Sequence, residues 1–348
     1  MSSIPVGILG ATGMVGQQFI ALLADHPWFK VEWLGASQRS EGKTFRDAAA
    51  WRLSNRLPHD VAGKVVDAAT PGRAPKLVFS GLDSSVAGEI EGAFAAAGHI
   101  IVSNSRNYRM VDTVPLLIPE INADHLALLR AQGASQGWSG RIVTNPNCAV
   151  VVLAMALAPL RQFGIKSTII TTLQAISGAG YPGVPSWDIL GNVIPHIGGG
   201  EEEKVETETR KILGSLAHNK VEFHPMKLSA TTTRVPVHNG HTESVAVKFE
   251  QKVTAEAVID AFNGFRGRPQ ELKLPSAPPQ PVIYLTERNR PQPALDVDRD
   301  GGMTVTVGRL RPCPVLDYKF ICLGHNTIRG AAGVAILNAE LMHQEGLL

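Results

Sequence analysis

The chain has 348 residues, 44% hydrophobic and 18% charged, enough for two ordinary globular domains, and this composition excludes low-complexity disorder. A formal net charge of +2, with Lys and Arg spread along the chain, favours neither nucleic acid nor membrane as a partner. Cys148, Cys313 and Cys322 are either far apart or unpaired by any metal-ligand spacing, and a chain this long without a cysteine framework is expected in a reducing compartment.

Residues 6–9 form a short apolar run ending at Gly10, and residues 14–23 continue as a helix. The N-terminus enters that run directly, without the basic start and apolar stretch of a secretion signal. No later segment is apolar enough to span a bilayer, so a soluble, cytoplasmic chain is expected. A second strand is predicted at 31–36, with further apolar runs at 76–79, 99–102, 115–118 and 141–143 and helices at 86–97 and 124–132. Strands alternating with helices predict an α/β domain with a mostly parallel, doubly wound sheet. After Cys148 come a helix at 150–163, a β-branched run at 167–175, a Gly/Pro-rich loop at 177–200 and an acidic helix at 201–213. Period-two alternation at 221–250 and 303–323 predicts larger antiparallel strands, and 327–342 reads as an amphipathic helix. The proline-rich stretch 269–281 is either a linker or an ordered surface loop.

The run GATGMVG at 10–16 sits between the first strand and the first helix. Its glycines, Gly10, Gly13 and Gly16, allow a tight turn and a close backbone approach to a pyrophosphate, and the helix start adds partial positive charge. An NAD site usually has an acidic residue at the end of the second strand. Here that strand runs into Ser37, Gln38, Arg39 and Ser40, so Arg39 is expected to fork onto a 2′-phosphate with Ser37 and Ser40 as neutral donors. The cofactor read from this pattern is NADP(H).

Asn145-Pro146-Asn147 precedes Cys148 where a strand gives way to a helix. A helix start favours the thiolate, and a thioester accepts hydride well. Cys313 and Cys322 read instead as core cysteines. Among the 11 histidines, His26, His59 and His125 read as surface or capping residues, whereas His241 follows an Asn-Gly turn seven residues after Arg234. The turn lets Arg234 and His241 reach one pocket; His238 is the competitor.

These segments together resemble the aspartate-β-semialdehyde dehydrogenase family over nearly the whole chain. The turn at 10–16, SQRSEGK at 37–43, VPLLIPEIN at 114–122, NPNC at 145–148 and QAISGAG at 174–180 carry the resemblance. So do EEEK at 201–204, the segment 234–241 and NTIRGAA at 326–332, and the EEEK and NPNC runs look more like the archaeal and fungal branch. The resemblance implies a Rossmann-type NADP-binding domain, residues 1–147 with 326–348, and an α+β catalytic and dimerisation domain, 148–325, with a large mixed or antiparallel sheet. It implies Cys148 as nucleophile, His241 as acid/base, Gln174 and Arg234 on the substrate, and Arg234 on its α-carboxylate. Glu201, or Glu202 as second choice, is implied at the substrate amino group, and Lys204 at the phosphate with Arg109 and Asn147. Thr12, Gly13, Met14, Val15, Ser37, Arg39, Ser40, Ser177, Gly178 and Asn326 are implied at the cofactor. The bland reading of 201–210 is a solvated helix with pairs such as Lys204–Glu208.

The expected reaction is reduction of L-4-aspartyl phosphate to L-aspartate 4-semialdehyde with release of inorganic phosphate, a step toward lysine, threonine and methionine. Alternatives are an N-acetyl-γ-glutamyl-phosphate reductase, a glyceraldehyde-phosphate dehydrogenase-like enzyme, and a non-catalytic NADP-binding sensor. The family pairs its second domains through such a sheet, and the alternating strands after Val221 carry surplus apolar surface, so a homodimer or a dimer of dimers is expected.

Overall fold

The computed structural model describes residues 3–348; Met1 and Ser2, which the first domain range includes, lie outside the described residues. Six strands form a parallel sheet: β1 (Ile4–Leu9), β2 (Phe29–Ala36), β3 (Asp67–Ala68), β4 (Leu77–Ser80), β5 (Ile100–Ser103) and β6 (Arg141–Thr144). Their order is β3-β2-β1-β4-β5-β6, so the strand order reverses beside β1 and opens a crevice at its carboxyl end. β4 and β5 are buried throughout, as strands covered on both faces must be. Helices α1 (Met14–Leu23) and α2 (Ser84–Ala96) belong to this half.

The second half is a mixed sheet, ordered β10-β7-β11-β14-β13-β12. Its strands are β7 (Ile165–Gln174), β10 (Lys227–Arg234), β11 (His241–Phe249), β12 (Val282–Leu285), β13 (Val305–Pro312) and β14 (Tyr318–Gly324), with a small hairpin, β8 (Ser215–Ala217) and β9 (Lys220–Glu222), beside it. β10–β7 and β12–β13 are parallel pairs and the rest antiparallel, so the sheet is mixed. Helix α3 (Cys148–Leu157) is buried from Ala149 to Leu157 and forms the centre of this core. Helices α4 (Glu201–Ile212) and α5 (Ala255–Gly264) pack nearby.

Several expectations need correction. Residues 115–118 make only an isolated bridge, Leu116 to Thr144, because Pro119 starts a helical turn at once. The turn between Arg234 and His241 is a crossing loop. β10 and β11 lie on opposite sides of β7, and residues 235–240 cross over its carboxyl end. The C-terminal segment is a π-turn, Ile328–Ala332, then α6 (Gly333–Gln344), whose residues 333–342 are all buried; it is not amphipathic, because it joins the first core. Two of its polar side chains find partners inside the molecule: Asn338 Nδ2 donates to the Leu117 carbonyl, and Glu340 joins two distant segments. Glu340 meets His26 Nε2 at 2.8 Å and accepts the backbone N–H of Ser276 at 3.1 Å, which pins the proline-rich stretch as an ordered loop. His26 and His125 are therefore interior histidines, although His26 does cap, taking the N–H groups of Trp28 and Phe29. Cys322 is a core cysteine, but Cys313 is only half-buried. The outward residues Ile169 and Leu173 on β7 are the exposed apolar ones; β10 and β11 present mostly polar side chains there.

Candidate active site

The glycine turn closes tightly. Gly10 has φ +71°, and a Cβ on Gly16 would lie 2.3 Å from the Gly10 carbonyl oxygen, so α1 can pack under the turn only with glycine there. Gly13 is the N-cap of α1 and no side chain caps that helix, leaving its first N–H groups facing outward beside Thr12, Met14 and Val15. This cradle fits a pyrophosphate. Ser37 and Arg39 are exposed at the end of β2, while Ser40 is buried. Gln17, unremarked in the sequence, staples the turn to the next loop: its amide donates to the carbonyls of Thr12 and Ala50, and its oxygen accepts the Arg52 N–H at 2.8 Å.

Across the crevice, Asn147 caps α3, its side-chain oxygen accepting the N–H groups of Ala149 (2.9 Å) and Val150 (3.3 Å), so Cys148 opens the helix. Cys148 Sγ lies 3.1 Å from His241 Nε2. The strand crossing puts Gln174, Arg234 and His241 at one end of three neighbouring strands, which is why side chains far apart in sequence meet. The Ala175 N–H donates to His241 Nδ1 at 3.1 Å, and Arg234 Nη1 donates to the Ala175 carbonyl at 2.7 Å. A Cβ on Gly178 would sit 3.1 Å from Arg234 Nη1 and 3.3 Å from His241 Cε1, so only glycine fits without displacement. Asn326 ties the site to the C-terminal segment, donating to Ser177 Oγ (2.8 Å) and accepting from the Gly240 N–H (2.9 Å).

The acidic helix resolves its own register. Glu201 is buried and accepts from Asn147 Nδ2 (2.8 Å), Gln174 Nε2 (3.2 Å) and Lys204 Nζ (3.1 Å). Glu202 instead accepts the Thr232 N–H of β10 and points away. The expected Lys204–Glu208 pair does not form: Lys204 pairs with Glu201, and Glu208 turns inward to Arg109. His238 is exposed on the crossing loop. Thus Cys148, His241, Gln174, Arg234, Glu201, Lys204, Asn147 and Arg109 surround one crevice, with Ser177, Gly178 and Asn326 beside it; Ser37, Arg39 and Ser40 belong to the end of β2 instead.

Sequence reading missed Glu208, Lys211, Gln17 and Gly330. A Cβ at Gly330 would lie 2.8 Å from Cys148 Cβ, so this glycine lets the C-terminal segment approach the nucleophile. The signal for Glu208 was its place on the Glu201 face of the helix, seven residues on.

Burial outweighs the helix start at the sulfur. It pushes the Cys148 thiol up to about 12, with Glu201 adding to the effect and Arg234, Arg109 and the Ala149 N–H opposing it. Burial, then Arg234 and His325, push His241 down to about 3. The pair therefore rests as neutral thiol and neutral imidazole. Because Nδ1 accepts from Ala175, the ring proton sits on Nε2, facing the sulfur.

Fold and site together define a two-domain semialdehyde dehydrogenase-type enzyme. Residues 5–129 match the semialdehyde dehydrogenase NAD binding domain family and residues 157–329 the semialdehyde dehydrogenase dimerisation domain family. The chain is similar to aspartate-semialdehyde dehydrogenase of Archaeoglobus fulgidus, at 48% identity over 99% of both chains. It is also similar to that of Cryptococcus neoformans, at 46% identity over 99% of this chain and 98% of the other. The crystal structure of aspartate semialdehyde dehydrogenase with NADP from Candida albicans superposes over 100% of both chains with TM-score 0.91 and 41% identity. The chain belongs to the aspartate-semialdehyde dehydrogenase family, with full-length relatives in archaea and fungi.

Proposed function

We propose that this chain reduces L-4-aspartyl phosphate to L-aspartate 4-semialdehyde using NADPH, releasing inorganic phosphate. The observation that carries the reading is Cys148 Sγ at 3.1 Å from His241 Nε2, in a crevice with a buried carboxylate, Glu201, at one side and the Arg234 guanidinium at the other. Cys148 forms the new bond to the acyl carbon while the carbon–oxygen bond to phosphate breaks. The thiol proton leaves with the phosphate oxygens, giving a thioester and hydrogen phosphate. The nicotinamide, when bound, supplies hydride to the thioester carbon. His241 Nε2–H then faces the developing oxyanion, and a proton from solvent restores the thiol as the carbon–sulfur bond breaks. Arg234 takes the α-carboxylate, Glu201 the ammonium, and Lys204, Arg109 and Asn147 the phosphate side, with Gln174 orienting Glu201.

Glu201 favours this substrate over an N-acetylated analogue, whose capped nitrogen carries no charge for a buried carboxylate. A sensor has no use for a thiol paired to an imidazole. The cofactor set is Gly10, Thr12, Gly13, Met14, Val15, Gly16, Ser37, Arg39, Ser40, Ser177, Gly178 and Asn326. The proposed domains are 1–147 with 326–348 and 148–325, supported by α6 packing in the first core. The family match includes a dimerisation domain, and the exposed Ile169 and Leu173 support pairing through the outer face of the β7 sheet, as a dimer or a dimer of dimers. A concentration-independent monomer by light scattering would sink that part. No helix among the described residues is long and apolar enough to cross a membrane, and the three free cysteines suit the cytoplasm.

The test is phosphate-dependent reduction of NADP⁺ with each candidate aldehyde. Turnover with L-aspartate 4-semialdehyde and none with the N-acetylglutamate aldehyde supports the reading; the reverse, or no turnover with either, overturns it. In cofactor titrations, Arg39→Ala should weaken NADPH by about tenfold to a hundredfold and leave NADH nearly unchanged, since only the former loses a charge-assisted contact. Equal losses would remove Arg39 from the site.

A further inference from the structure

Four charged residues follow one face of α4: Glu201, Lys204, Glu208 and Lys211. The first two belong to the function proposed above; the last two reach no substrate group and are only 2% exposed. One Glu208 oxygen accepts from Arg109 Nη1 at 3.0 Å, and the other accepts the backbone N–H of Asn147 at 2.8 Å. A single carboxylate thus joins the Arg109 guanidinium to the turn that sets Cys148. Arg109 Nη2 donates to the Asn104 carbonyl at 2.6 Å, while its buried Nε finds no acceptor among the described residues. Lys211 Nζ donates to the carbonyls of Arg109 (2.6 Å), Val111 (3.1 Å) and Val114 (3.5 Å), so the same helix holds Arg109 by backbone and by guanidinium.

A buried ion pair is weak support for stability, since a well-packed apolar pair often does as well. What this pair supplies is position. Without Glu208 the guanidinium keeps only the Asn104 carbonyl and can swing, whereas a neutral amide would still accept the Asn147 N–H.

We propose that Glu208 is a positioning residue for the phosphate-releasing half of the reaction. It fixes the Arg109 guanidinium relative to Cys148, so that the phosphate leaving the acyl carbon meets an already oriented cation. This rests on the reading of Arg109 as a phosphate group-binder.

The test is steady-state kinetics of phosphate-dependent NADP⁺ reduction on the full-length enzyme. Glu208→Gln keeps the volume and an acceptor for Asn147 but loses the charge facing Arg109. Its KM for phosphate should rise about tenfold, with kcat at saturating phosphate within about threefold of the parent and the KM for NADP⁺ unmoved. Glu208→Asp, which keeps the charge on a shorter arm, should show an intermediate rise of about threefold. A merely structural role predicts instead a fall in kcat with an unmoved phosphate KM, and either that result or no change overturns the proposal. If Glu208→Gln fails to fold by thermal melt, the phosphate KM of Glu208→Asp decides by the same criterion. If the parent shows no phosphate dependence, the reading of the reaction falls first, and this proposal with it.

Discussion

Replacing Cys148 with serine is expected to cut turnover by roughly 10³-fold or more while NADPH still binds. A serine hydroxyl fills the same place beside His241 Nε2 but offers no accessible anion, and its acyl ester accepts hydride less readily than a thioester. The glycine turn lies on the other sheet and is untouched, so loss of turnover separates from loss of cofactor. The sulfur should also report its surroundings on a pH axis. With the thiol pushed up to about 12, its thiolate fraction, and hence its alkylation by iodoacetamide, should rise about tenfold per pH unit from pH 7 to pH 9 without a plateau. Cys313 is the competing target, because the N–H groups of Leu316 and Val315 lower its thiol and it is only half-buried. Peptide mapping must therefore show substrate protecting Cys148 and not Cys313. A Cys148→Ser enzyme that stays active would end the covalent mechanism, whereas a Cys148 plateau below pH 8 would mean that Arg234, Arg109 and the Ala149 N–H outweigh burial at the sulfur.

The features legible in the sequence were those whose chemistry is local. Gly10 and Gly16 announce a turn because neighbouring backbone excludes a side chain there, and Asn147 announces a helix start because a cap acts within three residues. Glu208 and Lys211 were illegible for the opposite reason. A charge on a helix reads as solvated until the partner covering that face is known, and the partners, Arg109 and the carbonyls of 109–114, lie about a hundred residues away. The C-terminal helix misled in the same way. Asn338 and Glu340 look like a polar face, yet they are buried on Leu117 and on His26 with Ser276. His241 was found by its turn, but the path of that turn was not legible: residues 235–240 cross the end of β7, which inserts between the two arms. The thiol was half legible. The helix start is local and was read; the burial that outweighs it belongs to the assembled site.

Replacing His241 with alanine should leave a slow enzyme, down by about 10²–10⁴-fold in kcat, which is the usual contribution of a positioned proton donor or acceptor. His241 is fully buried and its only described ring partners are the Cys148 sulfur and the Ala175 N–H. That second contact decides the role. With Nδ1 accepting, the neutral ring presents Nε2–H to the sulfur and to the oxygen that becomes negative as hydride arrives. The loss should therefore fall on the hydride half more than on acyl transfer, where the phosphate can take the thiol proton. Burst experiments from the acyl phosphate should then release phosphate at a rate near the parent's while aldehyde appears slowly. His238→Ala, on the exposed crossing loop, should stay within about threefold. The sign on the pH axis follows from the depression of His241 to about 3. The imidazole is neutral throughout the range used for assay, so the parent should show no limb near the ordinary histidine value of about 6.5. A limb there that disappears in His241→Ala would mean that the imidazole takes up a proton during turnover, and that the tautomer held by Ala175 is not the working one.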